Sequence, residues 1–456
     1  MTLCRTLSAH VAWAFLVCLL ALVTSAAAEN EVEWTVAIDD PTSGKLKVML
    51  RIPLASIGNR SPLGFTFPDA HDFSGRVSGF RVSIASKSVE TEEHTTQRGV
   101  SYRAPIADES GESIVVAYTV DARFYPPGSE GGARRDARAI LEPELGVLRT
   151  RTVFVAGQHT ALAARLTFDL PEGWGAITPW DQESNTFLLP PNALRGKTEY
   201  LGIGPFEVTE TEIGATPYRI GAMGAGNELI EKLPALIEFE QRIAGTSPRD
   251  ANARHSIVLA PRGFIQGGSA GRLSVVQSPN AVTLAHEIFH WWNHSGIATP
   301  EARWFGEGFT EYFAIQAAVA SGLISGAYAK LCFADLNGEM RFLERDGPVS
   351  LADASQRYSE REAQRLVYGK GALFAYWLDS ELRKVDRELH EVLPVVFANP
   401  NRRHDNGALA EAFDLAFEGA MNDAFNMYVE NANPLPDLGL PEATGKSGRT
   451  RFLPNR

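Results

Sequence analysis

The sequence predicts an α+β chain in several domains, with a β-sandwich first, a mixed region next and helices last. Three observations carry that reading. Apolar residues alternate with period two through much of 30–210. Helical spacing takes over near residue 215. From about 281 to 432 the pattern stays helical, and it holds one cluster of metal-ligand residue types.

The first 28 residues read as a secretory leader rather than as fold. Arg5 is the one charge ahead of an apolar run from Val11 to Val23, and Ser25-Ala26-Ala27-Ala28 offers a small-residue cleavage site. The run is shorter than the ~20 residues of a bilayer span. The expected location is therefore secreted or periplasmic, with no membrane span after cleavage. Removal of the leader takes Cys4 and Cys18 and leaves Cys332, so no internal disulfide is expected. Leu331 and Phe333 flank Cys332, which reads as a buried, inert thiol.

The chain has 456 residues, 44% hydrophobic and 21% charged, enough apolar material for sizeable cores. Its net charge of −12 repels phosphate backbones, so no nucleic-acid partner is expected.

In the β region, Leu46, Val48, Leu50 and Ile52 alternate with Lys47, Met49 and Arg51. Ala164, Leu166, Phe168 and Leu170 repeat the pattern. Ile114–Phe124 and Thr150–Val155 are further strand candidates. His71, His94 and His159 are isolated and carry no chemistry. In the mixed region, Glu228–Ile243 has helical spacing, and His255–Pro261 and Leu273–Gln277 read as short strands. A Gly-rich loop, 263–272, joins them. It lacks the Lys-Ser/Thr pair of a phosphate loop.

Ala281–His294 reads as one helix with Asn280 as its N-cap. It contains His286-Glu287-Ile288-Phe289-His290. Histidines four apart share a helix face, so both imidazoles reach one ion. Glu287 is placed to act as general base on a water at that ion. A zinc site needs a third protein ligand. His294 has drifted round the helix, so the ligand is sought downstream. Glu307 lies in a second helix, Trp304 to about Gly322, and a turn between the two helices brings it beside the first. Glu311, one turn on, is either a carboxylate that orients an imidazole or an ordinary surface residue. Tyr368, ahead of an apolar helix Ala372–Leu382, is either a donor to an oxyanion or core packing.

Taken together, His286-Glu287-x-x-His290, Glu307-Gly308-Phe309 and Tyr368-x-Lys370-Gly371 resemble the gluzincin peptidases. The glycyl aminopeptidase family is the nearer likeness and the aminopeptidase N family the more distant one. Trp292-Asn293, Trp304–Tyr312 and Leu170-Pro171-Glu172-Gly173-Trp174 add to it. The resemblance implies one zinc per chain on His286, His290 and Glu307, with Glu287 as base and Tyr368 as the oxyanion donor. It also implies a peptide or protein substrate. The implied architecture is an N-terminal β-sandwich (29–212), a thermolysin-like zinc catalytic domain (213–325), a C-terminal α-helical domain (326–432) and a loose tail (433–456).

The chain departs from that pattern in three places. The interval from His290 to Glu307 is short, and the C-terminal stretch leaves no room for a PDZ domain. Gly267-Gly268-Ser269-Ala270-Gly271-Arg272 has no acid to pair with a substrate amine, and an uncompensated Arg272 would repel one. Aminopeptidase and endopeptidase action are both expected readings. A zinc-containing binding or scaffold protein is the rival that keeps the fold and loses turnover.

Overall fold

The computed structural model describes residues 31–443, apart from 58–61, 68–75, 97–98, 106–112, 124–138, 196–197, 225–226, 263, 266, 295, 400–401 and 420–421. The leader and residues 444–456 lie outside the described residues, as does His71.

The N-terminal region is built from three sheets, of eight, four and three strands among the described residues. The strand Lys45–Pro53 shows why. Its residues are alternately exposed and buried, so one face is apolar and one polar. Leu46, Val48, Leu50 and Ile52 are buried, each contributing about 1.5–3 kcal/mol. Ala164–Asp169 alternates likewise and pairs in parallel with Val32–Ala37; the other pairings of this sheet are antiparallel. One apolar core joins the three sheets through residues such as Trp34, Phe65, Tyr118, Phe154 and Leu201.

The expected strand at Thr150–Val155 is instead a single helical turn, Thr150–Val153. Tertiary bonds fix it. Glu199 N–H donates to Thr150 Oγ1 at 2.9 Å, and Tyr118 O–H donates to the Val153 carbonyl at 2.8 Å. His159 is buried against the Val155 carbonyl, and burial pushes its imidazole down to about 4.

The mixed region holds a five-stranded sheet in the order Glu207–Ile213, Thr216–Ala222, His255–Leu259, Ser274–Gln277, Gly268–Ala270. The middle strands run parallel, and Gly268–Ala270 is an antiparallel edge. That edge corrects the expected loop. The helix Asn227–Ala244 packs on the sheet through Leu233, Leu236 and Ile237. A single core runs from Ile213 to Val429, so the mixed and helical regions share it. Glu199 ties this sheet to the N-terminal region. Its Oε2 accepts from Leu273 N–H and from Ser274 Oγ, which itself accepts from Tyr200 N–H.

Cys332 is buried and unpaired, and burial pushes its thiol up to about 12. Residues 433–443 correct the expected loose tail. Leu435, Leu438 and Leu440 pack on the core, and the buried Lys370 ammonium reaches the Asn433 carbonyl. No described helix is long and apolar enough to cross a membrane.

Candidate metal centre and its surroundings

The site helix is shorter than its sequence predicts. It runs Ala281–Phe289, capped by Asn280 Oδ1, which accepts from Thr283 N–H at 3.0 Å. His290 is its C-cap. The residues that would have continued it find tertiary partners instead. Trp292 Nε1–H donates to the Thr246 carbonyl at 2.8 Å. Asn293 is fully buried, and its amide donates to the Phe305 carbonyl and to Thr310 Oγ1. His294 turns to Arg249, away from the other histidines.

The second segment also differs from a plain helix. Trp304–Phe309 is a π-helical turn that runs into an α-helix, Thr310–Ala320. Such single turns concentrate at functional sites. Thr310 Oγ1–H donates to the Gly306 carbonyl and so satisfies a group that the wide turn leaves loose.

Together the two segments bring His286, His290 and Glu307 into one cluster, with ligand atoms all within 4.8 Å of one another. The two Nε2 atoms are 3.2 Å apart, and Glu307 Oε2 is 3.5 Å from each. Donors held 2.0–2.2 Å from one tetrahedral ion lie about 3.3–3.6 Å apart, so this triangle fits zinc. The tautomers agree. His290 Nδ1 donates to the Asn293 carbonyl at 2.8 Å, and His286 Nδ1 faces Glu311 Oε2 at 2.8 Å. Both Nε2 lone pairs therefore point into the triangle, where they repel unless a cation lies between them.

Glu311 is buried, 1% exposed at its side chain, which closes the surface alternative. Glu287 flanks the edge strand so closely that a Cβ on Gly268 would lie 2.6 Å from Glu287 Cγ.

Tyr368 lies inside the long helix Arg361–Arg383, not ahead of one. Its ring stacks on His286 with centroids 5.5 Å apart. Burial, then the Glu307 charge, pushes the phenol well above its ordinary value, so it stays a donor. Next to it is a residue that sequence reasoning missed. Tyr358 O–H donates to the Tyr368 hydroxyl at 3.4 Å. Ten residues separate the two tyrosines, and no spacing rule flags that pair.

Arg272 is not uncompensated. Its guanidinium makes a two-pronged ion pair with Asp250. The expected repulsion of a substrate amine therefore loses its basis. A fully buried Glu240 was also missed, because in sequence it sits in an ordinary amphipathic helix.

Comparison with solved structures assigns the fold. The chain has the fold of the M1 zinc metallopeptidases, a multi-sheet β region followed by a helical one. It is similar to an aminopeptidase N family protein from Idiomarina loihiensis, at 15% identity and a TM-score of 0.72, covering 89% of this chain and 77% of that one. It is similar to an M1 zinc metallopeptidase variant from Deinococcus radiodurans bound to a Tyr-Ser-Ala substrate, at 16% identity and a TM-score of 0.55, covering 90% and 95%. Native yeast LTA4 hydrolase follows at 13% identity and 0.50, covering 89% and 68%. No family model and no curated protein matches the chain.

Proposed function

We propose that the protein is a secreted or periplasmic zinc metallopeptidase that hydrolyses peptide bonds. The observation that carries this is the triangle of His286, His290 and Glu307, with Glu287 beside it and against the edge strand Gly268–Ala270. His286, His290 and Glu307 hold one zinc, and residues 213–325 form the thermolysin-like catalytic unit. Bound zinc supplies Lewis acidity, which makes a water nucleophilic at neutral pH and polarises a carbonyl.

The chain's own residues do the rest. The edge Gly268–Ala270 pairs with the substrate main chain. Glu287 takes a proton from the attacking water and delivers it to the leaving amine. Tyr368 O–H donates to the oxyanion as it forms. Glu311 holds His286 in its liganding tautomer. Removal of N-terminal residues is the favoured mode. The name of the Idiomarina loihiensis neighbour, an aminopeptidase N family protein, supports it, and the Arg272–Asp250 pair removes the charge objection. Location outside the cytoplasm rests on the leader-like N-terminus.

Mature protein incubated with a mixed peptide pool, read by mass spectrometry with and without chelator, tests the reading. Stepwise, chelator-sensitive loss of N-terminal residues is expected, and Glu287→Gln keeps the metal and loses turnover. Internal cuts would move the protein to endopeptidase action. No cleavage with zinc bound would favour the scaffold reading.

A further inference from the structure

The neighbourhood of Tyr368 has a direction built into it. Tyr358 lies in the connection between the helices Leu351–Gln356 and Arg361–Arg383. Its hydroxyl is the donor toward the Tyr368 oxygen, at 3.4 Å, with the rings stacked 6.5 Å apart. The Arg303 guanidinium sits over the Tyr358 ring, 4.4 Å from its centroid. Arg303 immediately precedes the π-helical turn that carries Glu307.

A hydroxyl has one proton to give. When its oxygen accepts from a second hydroxyl, its own proton is left to point elsewhere. Here the other side of Tyr368 is the metal cluster, where its ring stacks on His286. A cation over the ring of Tyr358 withdraws electron density and strengthens that O–H as a donor. Hydrogen bonds in series polarise one another, so a better donor at Tyr358 makes Tyr368 a better donor in turn. At 3.4 Å the contact is longer than the usual 2.5–3.0 Å between hydroxyls. Catalytic hydrogen bonds often tighten only when the reacting group is bound.

We propose that Tyr358, seated under Arg303, is a positioning residue that turns the Tyr368 proton toward the developing oxyanion. This rests on the zinc-peptidase reading of the same site. It differs from that reading in what it demands, which is coupling between the hydroxyls of Tyr358 and Tyr368.

The test is a double-mutant cycle in the zinc-loaded protein, with Tyr358→Phe, Tyr368→Phe and the pair. Tyr358→Phe keeps the ring and its seat under Arg303, so folding and zinc content are expected to stay at wild-type values. Its kcat falls about tenfold with KM unchanged, the size of one lost hydrogen bond to developing charge. In the Tyr368→Phe background the same change has no further effect. Affinity for a peptidyl phosphonate, whose tetrahedral oxygens mimic the oxyanion, follows the same cycle by calorimetry. Additive losses, or a rise in KM with kcat intact, would overturn the proposal. A protein that cleaves nothing but binds the phosphonate loses the peptidase reading, and the cycle still measures the coupling. A protein that neither cleaves nor binds it refutes both.

Discussion

Gly308 and Gly371 meet backbone to backbone, with no side chain between them. A Cβ on Gly308 would lie 2.5 Å from Gly371 Cα and 2.8 Å from the Val367 carbonyl. A Cβ on Gly371 would lie 2.8 Å from the Trp304 carbonyl. This contact seats the turn that carries Glu307 against the helix that carries Tyr368. Gly308→Ala is expected to lower stability by about 1–3 kcal/mol, the usual cost of overpacking. It also shifts Glu307 and weakens zinc binding. Gly326→Ala, where the added methyl meets nothing within 4 Å, is the control. Thermal unfolding and zinc competition check both effects, and equal behaviour of the two variants would refute the close-contact account.

Glu311 orients His286 and does not touch the ion site directly. Glu311→Gln is expected to cost about 10–100-fold in zinc affinity while the fold survives. A chelator titration measures this. Unchanged affinity would mean that His286 is held by something else.

Glu240 is a buried carboxyl, and neither of its oxygens has a hydrogen-bond partner. Burial raises its titration well above the ordinary value, so the folded protein keeps it protonated. Glu240→Met is expected to raise stability by about 1–3 kcal/mol, since it removes an unsatisfied polar group. The sign with pH follows from linkage. The unfolded chain releases this proton above the ordinary carboxyl range and the folded chain does not, so wild-type stability falls as pH rises. The gain from Met is therefore larger at pH 8 than at pH 5, as urea unfolding would read. A loss of stability at both values would show that the carboxyl has partners in solution.

Glu199 gives a second pH dependence with a defined window. Burial raises its carboxyl from 4.5 to about 7 despite the bonds from Leu273 and Ser274. Both states are protonated at low pH. Between the unfolded and folded values only the folded state holds the proton, so stability declines from about pH 4.5 to about 7 and then levels. At about 1.4 kcal/mol per unit, the decline is on the order of 3 kcal/mol. Glu199→Gln keeps an acceptor for Leu273 and Ser274 and is expected to flatten this slope. Melting temperatures across pH 4–8 decide it, and an unchanged slope in the variant would assign the dependence to other groups.

Much of this site was legible because local periodicity carries it. His286 and His290 share a face by helix geometry alone, and 17 residues suffice to bring Glu307 round to them. The buried faces of Lys45–Pro53 and Ala164–Asp169 follow from alternation. What escaped the sequence depends on contacts between distant segments. The site helix stops at Phe289 because Trp292 and Asn293 bond to Thr246 and Phe305, which no spacing reveals. Gly369 and Gly371 look like breakers ahead of a helix. They lie inside it, where Gly369 makes room for Met340 and Gly371 for Gly308. Arg272 looks unpaired until the fold brings Asp250, 22 residues earlier, to its guanidinium. Tyr358 has no pattern of its own, and its role depends on Arg303 arriving from another turn.

The buried Lys370 sets a practical limit on how this protein can be cut. Its ammonium is shared by Glu344, the Val349 carbonyl and the Asn433 carbonyl. A chain shortened to the last helix, near residue 430, would withdraw one of those oxygens and strip Leu435, Leu438 and Leu440 from the surface they cover. Such a product would expose sticky apolar ground beside an ammonium that has lost one acceptor, and it would invite aggregation and proteolysis. Ala443 sits against Gly338. Truncation points and engineered cleavage sites therefore stay out of 431–443.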